Sequence, residues 1–166
     1  MSSHIEKKVK EISFGLIITS DSVFYGLKRD EITPMVSKLL SENNYKLVHH
    51  EIVPNDIDKI KKAIVRALEK ADVIIITGGT GPNPRDKTIN IVLEFKGTEL
   101  PGFGELFRYL SFEEIGARAW LSRATAIVVN NKLMIALPGS PHAVKMAFEK
   151  LILPVIGHAL AEIRGF

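Results

Sequence analysis

Residues 77–86 read TGGTGPNPRD and follow directly on the apolar run ADVIIIT. Gly78, Gly79 and Gly81 reach backbone angles closed to other residues, and they put no side chain between their amides and an approaching anion. Thr77 and Thr80 add hydroxyls, Arg85 offers a fork of donors for phosphate, and a helix start just beyond would add partial positive charge. This is the composition of a phosphate cradle, although it matches neither GxxxxGK[ST] nor GxGxxG. A wide strand-to-helix turn uses the same residues. Asp86 closes the loop. It suits the cap of the next helix, and it equally suits a carboxylate holding Mg²⁺ beside a polyphosphate; the two roles are compatible.

Three other segments have related chemistry. TSDS (19–22) carries Ser20 and Asp21, and VPND (53–56) carries Asn55 and Asp56. Asp21 either shapes its turn, as Asx residues do, or faces a ligand. Asp56 is placed to cap a helix, and Asn55 and Asp56 are both within reach of a nucleotide or metal. LPGSP (137–141) brings Pro138, Gly139 and Ser140 to another helix entrance, where a hydroxyl and free amides suit a second anion. PGFGE (101–105) is a Gly-Pro turn carrying Gly102 and Glu105 into a helix start. The five histidines form no metal set: His49 and His50 are neighbours in a strand and face opposite ways, and only His142 lies beside one of these loops.

These residues work together only if the fold brings them to one rim. ISFGLIITS (12–20), YKLVHHEIVP (45–54) and ADVIIIT (71–77) read as strands, the first and third as runs buried on both faces. Helices are expected over 33–44, capped by Thr33 with Pro34 in the first turn, over 57–71 behind Asp56, and over 86–95 behind Asp86. The 57–71 segment has apolar residues at 57, 60, 64, 65 and 68, a helical spacing. Residues 21–32 read as a loop and 97–123 as mostly helical. A hairpin over 123–139 turns at Asn130-Asn131, and one or two helices close the chain. This order predicts one α/β domain over 12–166, a three-layer arrangement of a mainly parallel sheet with helices on both faces. Residues 1–11 read as an extension outside the core. In open α/β sheets ligands bind at the carboxyl ends of the strands, so the loops after 19, 53, 77 and 137 should converge.

Composition bounds the rest. With 166 residues, 46% hydrophobic and 25% charged, the chain is an ordinary globular domain. Its net charge of +3 favours an anionic ligand but is too small and scattered for nucleic acid. The absence of cysteine removes disulfides and thiolate chemistry. No apolar stretch spans a bilayer, and the start lacks the apolar segment of a signal peptide. A cytoplasmic protein is expected, with no membrane partner.

Taken in order, ITSDS, VPND, TGGTGPNPRDKT, ELPGFGELFR and LPGSP resemble the MoaB/MogA family of molybdenum cofactor biosynthesis, from about residue 12 to about residue 160. The length is most like a stand-alone MoaB. The resemblance implies the family's molybdopterin-binding α/β fold and assembly as a trimer or hexamer. It also implies contacts with other proteins of molybdenum cofactor biosynthesis. The activity implied is adenylyl transfer: the terminal phosphate of molybdopterin attacks the α-phosphorus of ATP, with Mg²⁺ required, and pyrophosphate leaves. Asp86 then matches the family's aspartate after the glycine loop, Ser20 and Asp21 its first-strand pair, and Gly102, Glu105 and Ser140 positions on the pterin side. One departure stands out. Where the family commonly has Pro-Asp followed by an acidic residue, this chain has Pro54-Asn55-Asp56. An amide binds Mg²⁺ less well than a carboxylate, so the alternative is a molybdopterin-binding carrier of the MoaB type with little adenylyltransferase activity.

Overall fold

The computed structural model describes residues 8–166. The elements begin with β1 (Ser13–Thr19), a one-turn helix α1 (Asp21–Phe24), α2 (Ile32–Glu42), β2 (Lys46–Val53), α3 (Ile57–Lys70) and β3 (Val73–Thr77). Then come α4 (Thr88–Glu94), a short β4 (Thr98–Glu99), α5 (Pro101–Ile115) and a 3-10 turn over Gly116–Leu121. The hairpin β5 (Thr125–Val129) and β6 (Lys132–Leu137) follows, then α6 (Pro141–Ala147), a π-helical turn over Phe148–Ile152 and α7 (Ile156–Ile163). Strand order is β2-β1-β3-β6-β5-β4. β2, β1, β3 and β6 pair in parallel, whereas β5 runs antiparallel to both its neighbours. The α/β sheet expected from the sequence is therefore present, mainly parallel and with helices on both faces. Among the described residues, no helix is long and apolar enough to cross a membrane.

Period-two alternation builds both layers. Val73 and Ile75 of β3 join Phe14, Leu16, Leu133 and Ile135 beneath α2, α5, α6 and α7, around Leu40, Phe107, Phe148 and Leu160. Ile74 and Ile76 face the other way, onto Ile60 and Ile64 of α3 and Ile89 and Val92 of α4. Burying an aliphatic side chain stabilises by about 1.5–3 kcal/mol, so the central strands are the main source of stability. Small residues set the approach of α3: Ala63 and Ala67 are buried, and a Cβ on Gly15 would stand 3.4 Å from that of Ala71 and 3.5 Å from that of Ala67. Ile57 and Val65, which the sequence spacing counts with the core face, are 44% and 48% exposed because the alanines occupy that face.

Helix starts differ in detail from expectation. Asp56 caps α3, its Oδ1 accepting the Lys59 amide at 2.9 Å. Thr33 does not cap α2; the helix begins at Ile32, and Asp30 Oδ1 accepts the amides of Ile32 and Thr33 at 2.9 and 3.0 Å. A charged acceptor outcompetes a hydroxyl there. Asp86 does not cap α4, which begins at Thr88 with no side-chain cap. The segment 21–32 is not all loop, because Ser20 Oγ accepts the Val23 amide and starts α1. Of the expected extension, residues 1–7 lie outside the described residues. The Val9 amide donates to the Gly157 carbonyl at 2.9 Å and its side chain packs on the core, while Ile12 is buried.

The edge of the sheet opposite the strand exits is closed by Asp72. Its carboxylate accepts the amide and hydroxyl of Ser13 at 2.9 and 3.0 Å, and Arg164 Nη2 at 2.7 Å, tying β1, β3 and the chain's end. Burial alone would raise the Asp72 pKa, but the Ser13 hydrogen bonds and the Arg164 charge outweigh it and hold the group below its ordinary value. A carboxylate with a depressed native pKa stabilises the fold above its unfolded pKa, and that stability fades as pH falls through the native value. Asp72→Asn is therefore expected to cost about 1–3 kcal/mol near neutral pH and to flatten the decline of Tm below about pH 4, as read by thermal melts across pH 3–7.

Candidate functional site

At the carboxyl edge of the sheet the chain leaves β1 toward β2 on one side and reaches β3 on the other, so the β1 and β3 exits flank the topological switch point. This is where open α/β sheets take ligands. The β2 and β6 exits adjoin it. Ser20's amide donates to the Val53 carbonyl, Asn55's amide to Asp21 Oδ1 at 2.8 Å, and Gly78's amide to the Leu137 carbonyl at 2.8 Å. The four strand exits named in the sequence thus meet on one rim.

The glycine turn is held by its carbonyls. The hydroxyl proton of Thr88 goes to the Gly78 carbonyl at 2.7 Å, which leaves Thr19 to donate to Thr88 Oγ1 at 3.3 Å. Thr88's amide takes the Gly79 carbonyl at 3.1 Å, and Arg123's amide takes that of Thr80 at 3.0 Å. In a trans peptide the carbonyl and the following amide point opposite ways, and no cis peptide occurs among the described residues. The amides of Gly79, Thr80 and Gly81 are therefore turned away from Thr88 and Arg123, and none has an acceptor in the chain among the described residues. Gly79 and Gly81 are half-buried and within reach of a ligand. Unpaired amides in so sheltered a turn are costly unless something anionic or water meets them. Gly78 has no substitute: its φ is +92°, and a Cβ there would lie 2.2 Å from the Thr19 carbonyl oxygen.

Two hollows lie at the neighbouring strand exits. One is lined by Ser20, Gly139, the bases Lys28 and Arg29 and the acids Asp30 and Glu31; a Cβ on Gly139 would stand 3.4 Å from the Gly78 Cα. The second, a cleft of about 520 Å³, has Asp21, Asn55, Asp56 and Asp58 along one wall and Pro84, Arg85 and Lys87 along the other. That is within the size range of small-molecule sites. Lys28, Arg29, Arg85 and Lys87 make no ion pair among the described residues. Four cations are thus available to phosphate around a turn of free amides.

The expected site residues sort accordingly. Ser20, Asp21, Asn55, Asp56, Arg85 and Gly139 line the hollows, whereas Gly78, Gly79, Thr80 and Gly81 line neither. Pro138 is half-buried at the β6 exit, and Ser140 is exposed and caps α6 by accepting the Ala143 amide. Thr77 is fully buried, and its hydroxyl is inaccessible and without a partner. Gly102 and Glu105 are exposed on α5 and line neither hollow. Asp86 is turned back into its own loop: Oδ2 accepts the Asn83 amide at 3.2 Å and lies 2.8 Å from where a Cβ on Gly81 would stand. Thr88, Lys28, Arg29 and Arg123 were not singled out from the sequence. Lys28 and Arg29 are two adjacent cations in a polar loop, a visible signal; Thr88 and Arg123 act through contacts that only folding creates.

The donor set suits a hard cation. The described residues contain no group of three His, Cys, Asp or Glu that could hold a metal by itself; Mg²⁺ bound through one or two carboxylates and substrate phosphates needs no such group. Asp21, Asp56 and Asp86 supply carboxylate oxygens, and the buried Asn55 Oδ1 has no hydrogen-bond partner.

Fold and site together define a class, an α/β domain whose candidate site lies at the switch point of a mainly parallel sheet. Comparison with known proteins narrows it. The profile of the family described as "Probable molybdopterin binding domain" matches residues 15–158. Molybdenum cofactor biosynthesis protein B of Bacillus cereus is 36% identical over 166 residues, covering 98% of this chain and 97% of the relative. The counterpart from Staphylococcus aureus strain N315 is 47% identical over 132 residues, covering 77% and 79%. The tungsten cofactor synthesizing protein MoaB of Pyrococcus furiosus superposes with a TM-score of 0.87 at 36% identity, covering 94% of this chain and 99% of that one. The chain belongs to this molybdopterin-binding family, among the MoaB and MogA proteins.

Gly78→Ala is expected to cost about 2 kcal/mol or more, since the added methyl is both strained and obstructed. Gly102→Ala, where nothing lies within 4 Å of the added carbon, should leave the urea unfolding midpoint nearly unchanged. Comparing the two midpoints checks the assignment of strain to the switch point.

Proposed function

We propose that this protein acts in molybdenum cofactor biosynthesis as a molybdopterin adenylyltransferase. The observation carrying the proposal is the run of acceptor-free amides at Gly79, Thr80 and Gly81 at the switch point, where the hollows at the neighbouring strand exits hold four cations without an ion pair among the described residues. Two hollows fit a reaction between two phosphorylated substrates. An ionised oxygen of the molybdopterin terminal phosphate forms a bond to the α-phosphorus of ATP, the bond from that phosphorus to the β-phosphate bridging oxygen breaks, and pyrophosphate leaves. No protein nucleophile is needed, so catalysis rests on positioning and on neutralising charge. The free amides and Arg85, Lys87, Lys28 and Arg29 oppose the repulsion between the phosphates. Mg²⁺, bound with Asp86 and with Asp21 or Asp56, would supply further neutralisation. Asp86, anchored by the Asn83 amide, presents its remaining carboxylate oxygen.

Asn55 favours a second reading, a molybdopterin-binding carrier. Its backbone amide donates to Asp21 Oδ1, and its side chain is a neutral amide where an acid would strengthen metal binding. The deciding experiment supplies purified protein with Mg-ATP and molybdopterin and follows pyrophosphate release and the adenylylated pterin. Adenylylation above background supports the transferase, and pterin binding without it supports the carrier. Asp86→Asn keeps an oxygen for the Asn83 amide while removing the charge, and should lower turnover ~100-fold or more with little change in pterin affinity. Asn55→Asp should raise the rate if the native site is short of negative charge for the metal.

We also propose a homo-oligomer, a trimer or hexamer. Leu106, Tyr109 and Phe112 recur at helical spacing on the exposed face of α5, 55%, 61% and 60% accessible, and Trp120 nearby in sequence is 75% accessible. Monomers seldom leave large apolar groups grouped in this way. Light scattering after size exclusion should give a multiple of the chain mass, and Phe112→Glu should shift it to smaller species; a monomeric wild-type protein would refute the assembly.

A further inference from the structure

We infer that Arg123 is the positioning residue of the glycine loop and the fixed positive charge behind it, setting both the placement of Asp86 and the loop's affinity for polyphosphate. Nothing in the loop's own sequence points to it, since it lies 37 residues beyond Asp86 at the entry to β5. This inference rests on the proposed function for its catalytic consequence but not for its anion-binding one.

Arg123 reaches three parts of the site. Its backbone amide holds the Thr80 carbonyl at 3.0 Å, Nη2 donates to the Asp86 carbonyl at 3.3 Å, and Nη1 donates to Asn90 Oδ1 on α4 at 2.9 Å. The first contact turns the Gly81 amide away from Arg123. The second does the same for the Lys87 amide, which likewise has no acceptor in the chain among the described residues. One residue thus clamps both ends of the loop, and the side chain holds the residue that carries the expected catalytic carboxylate. Arginine's rigid fork is suited to span a carbonyl and a side-chain amide at once, whereas lysine offers a single point charge.

Charge is the second part of the inference. Arg123 is half-buried and makes no ion pair among the described residues, and its acceptors there are neutral. Its Nε is buried without a partner. Away from bulk water, an uncompensated cation has a field that is weakly screened. Directed through a turn whose free amides face a ligand, it favours a multiply charged anion. The Nη1 contact with Asn90 is exposed and only the Nε side is withdrawn from water; the cost of leaving that donor without a partner is offset when an anion comes to share the charge.

The test measures binding of inorganic pyrophosphate by calorimetry at two salt concentrations, alongside the adenylylation assay, for wild type, Arg123→Lys and Arg123→Gln. Loss of a charge-assisted bond and of the charge should weaken pyrophosphate binding about 10- to 100-fold in Arg123→Gln, with a shallower salt dependence. Arg123→Lys should keep the wild-type salt dependence and recover part of the affinity. Because the side chain acts through Asp86, adding Arg123→Gln to Asp86→Asn should lower turnover by much less than it does in the wild-type background. Unchanged pyrophosphate affinity in Arg123→Gln would overturn the inference. So would losses in Arg123→Lys and Arg123→Gln that are equal and that follow only their melting temperatures. Wild-type protein that binds pyrophosphate through Arg123 yet adenylylates nothing would remove the transferase reading and leave the anion role of Arg123 standing. Wild-type protein that binds no pyrophosphate would remove both.

Discussion

Capture of the glycine-loop carbonyls is the constraint on which the site depends. Thr88 holds those of Gly78 and Gly79, and Arg123 holds those of Thr80 and Asp86. Because a trans peptide is planar, fixing each carbonyl also fixes the next amide. The consequence is a series of donors that the protein cannot use itself. Secondary structure ordinarily consumes such donors; here the chain passes from β3 to α4 through residues that belong to neither, and the donors remain for a ligand.

The scaffold supplies what this turn needs and little else. The turn is held between β1 and β6: a Cβ on Gly78 would collide with Thr19, and the Gly78 amide donates to the Leu137 carbonyl at the end of β6. Close approach of three strand exits leaves no space for side chains in the turn, which places the glycines there. Acidic residues line one wall of the adjoining cleft and basic residues the other. A ligand carrying phosphate and a divalent cation satisfies both walls, whereas a neutral ligand satisfies neither. At the opposite edge of the sheet, Asp72 is fully committed to Ser13 and Arg164, so its charge serves the fold.

Much of the fold was legible in the sequence because its central strands are uniform apolar runs. Ile74, Ile75 and Ile76 have no polar side, so they must be buried on both faces, and that requires helices on both. The Asn130-Asn131 turn was legible for a local reason: both residues take positive φ, 51° and 61°, which asparagine tolerates. Helix starts were less so. Thr33 and Asp86 both have capping chemistry, but Asp30 supplies the first cap and Asp86 folds back on Asn83. Local propensity ranks candidates, and competition among neighbouring acceptors selects one.

For the candidate site the division is similar. The sequence alone determined that TSDS, VPND, TGGTGPNPRD and LPGSP would meet, because parallel strands joined by helices must place their exits on a single edge. It also carried the family's pattern, which the relatives from Bacillus, Staphylococcus and Pyrococcus share to 36–47% identity. Only the tertiary structure decided which of those residues face the hollows. It put Thr77 out of reach and Gly102 and Glu105 on an outer helix, and it brought Thr88 and Arg123 against the loop. The physical reason is that a shared edge for the strand exits follows from the alternation of strands and helices along the chain, whereas the direction of an amide depends on which distant donor has taken the carbonyl before it.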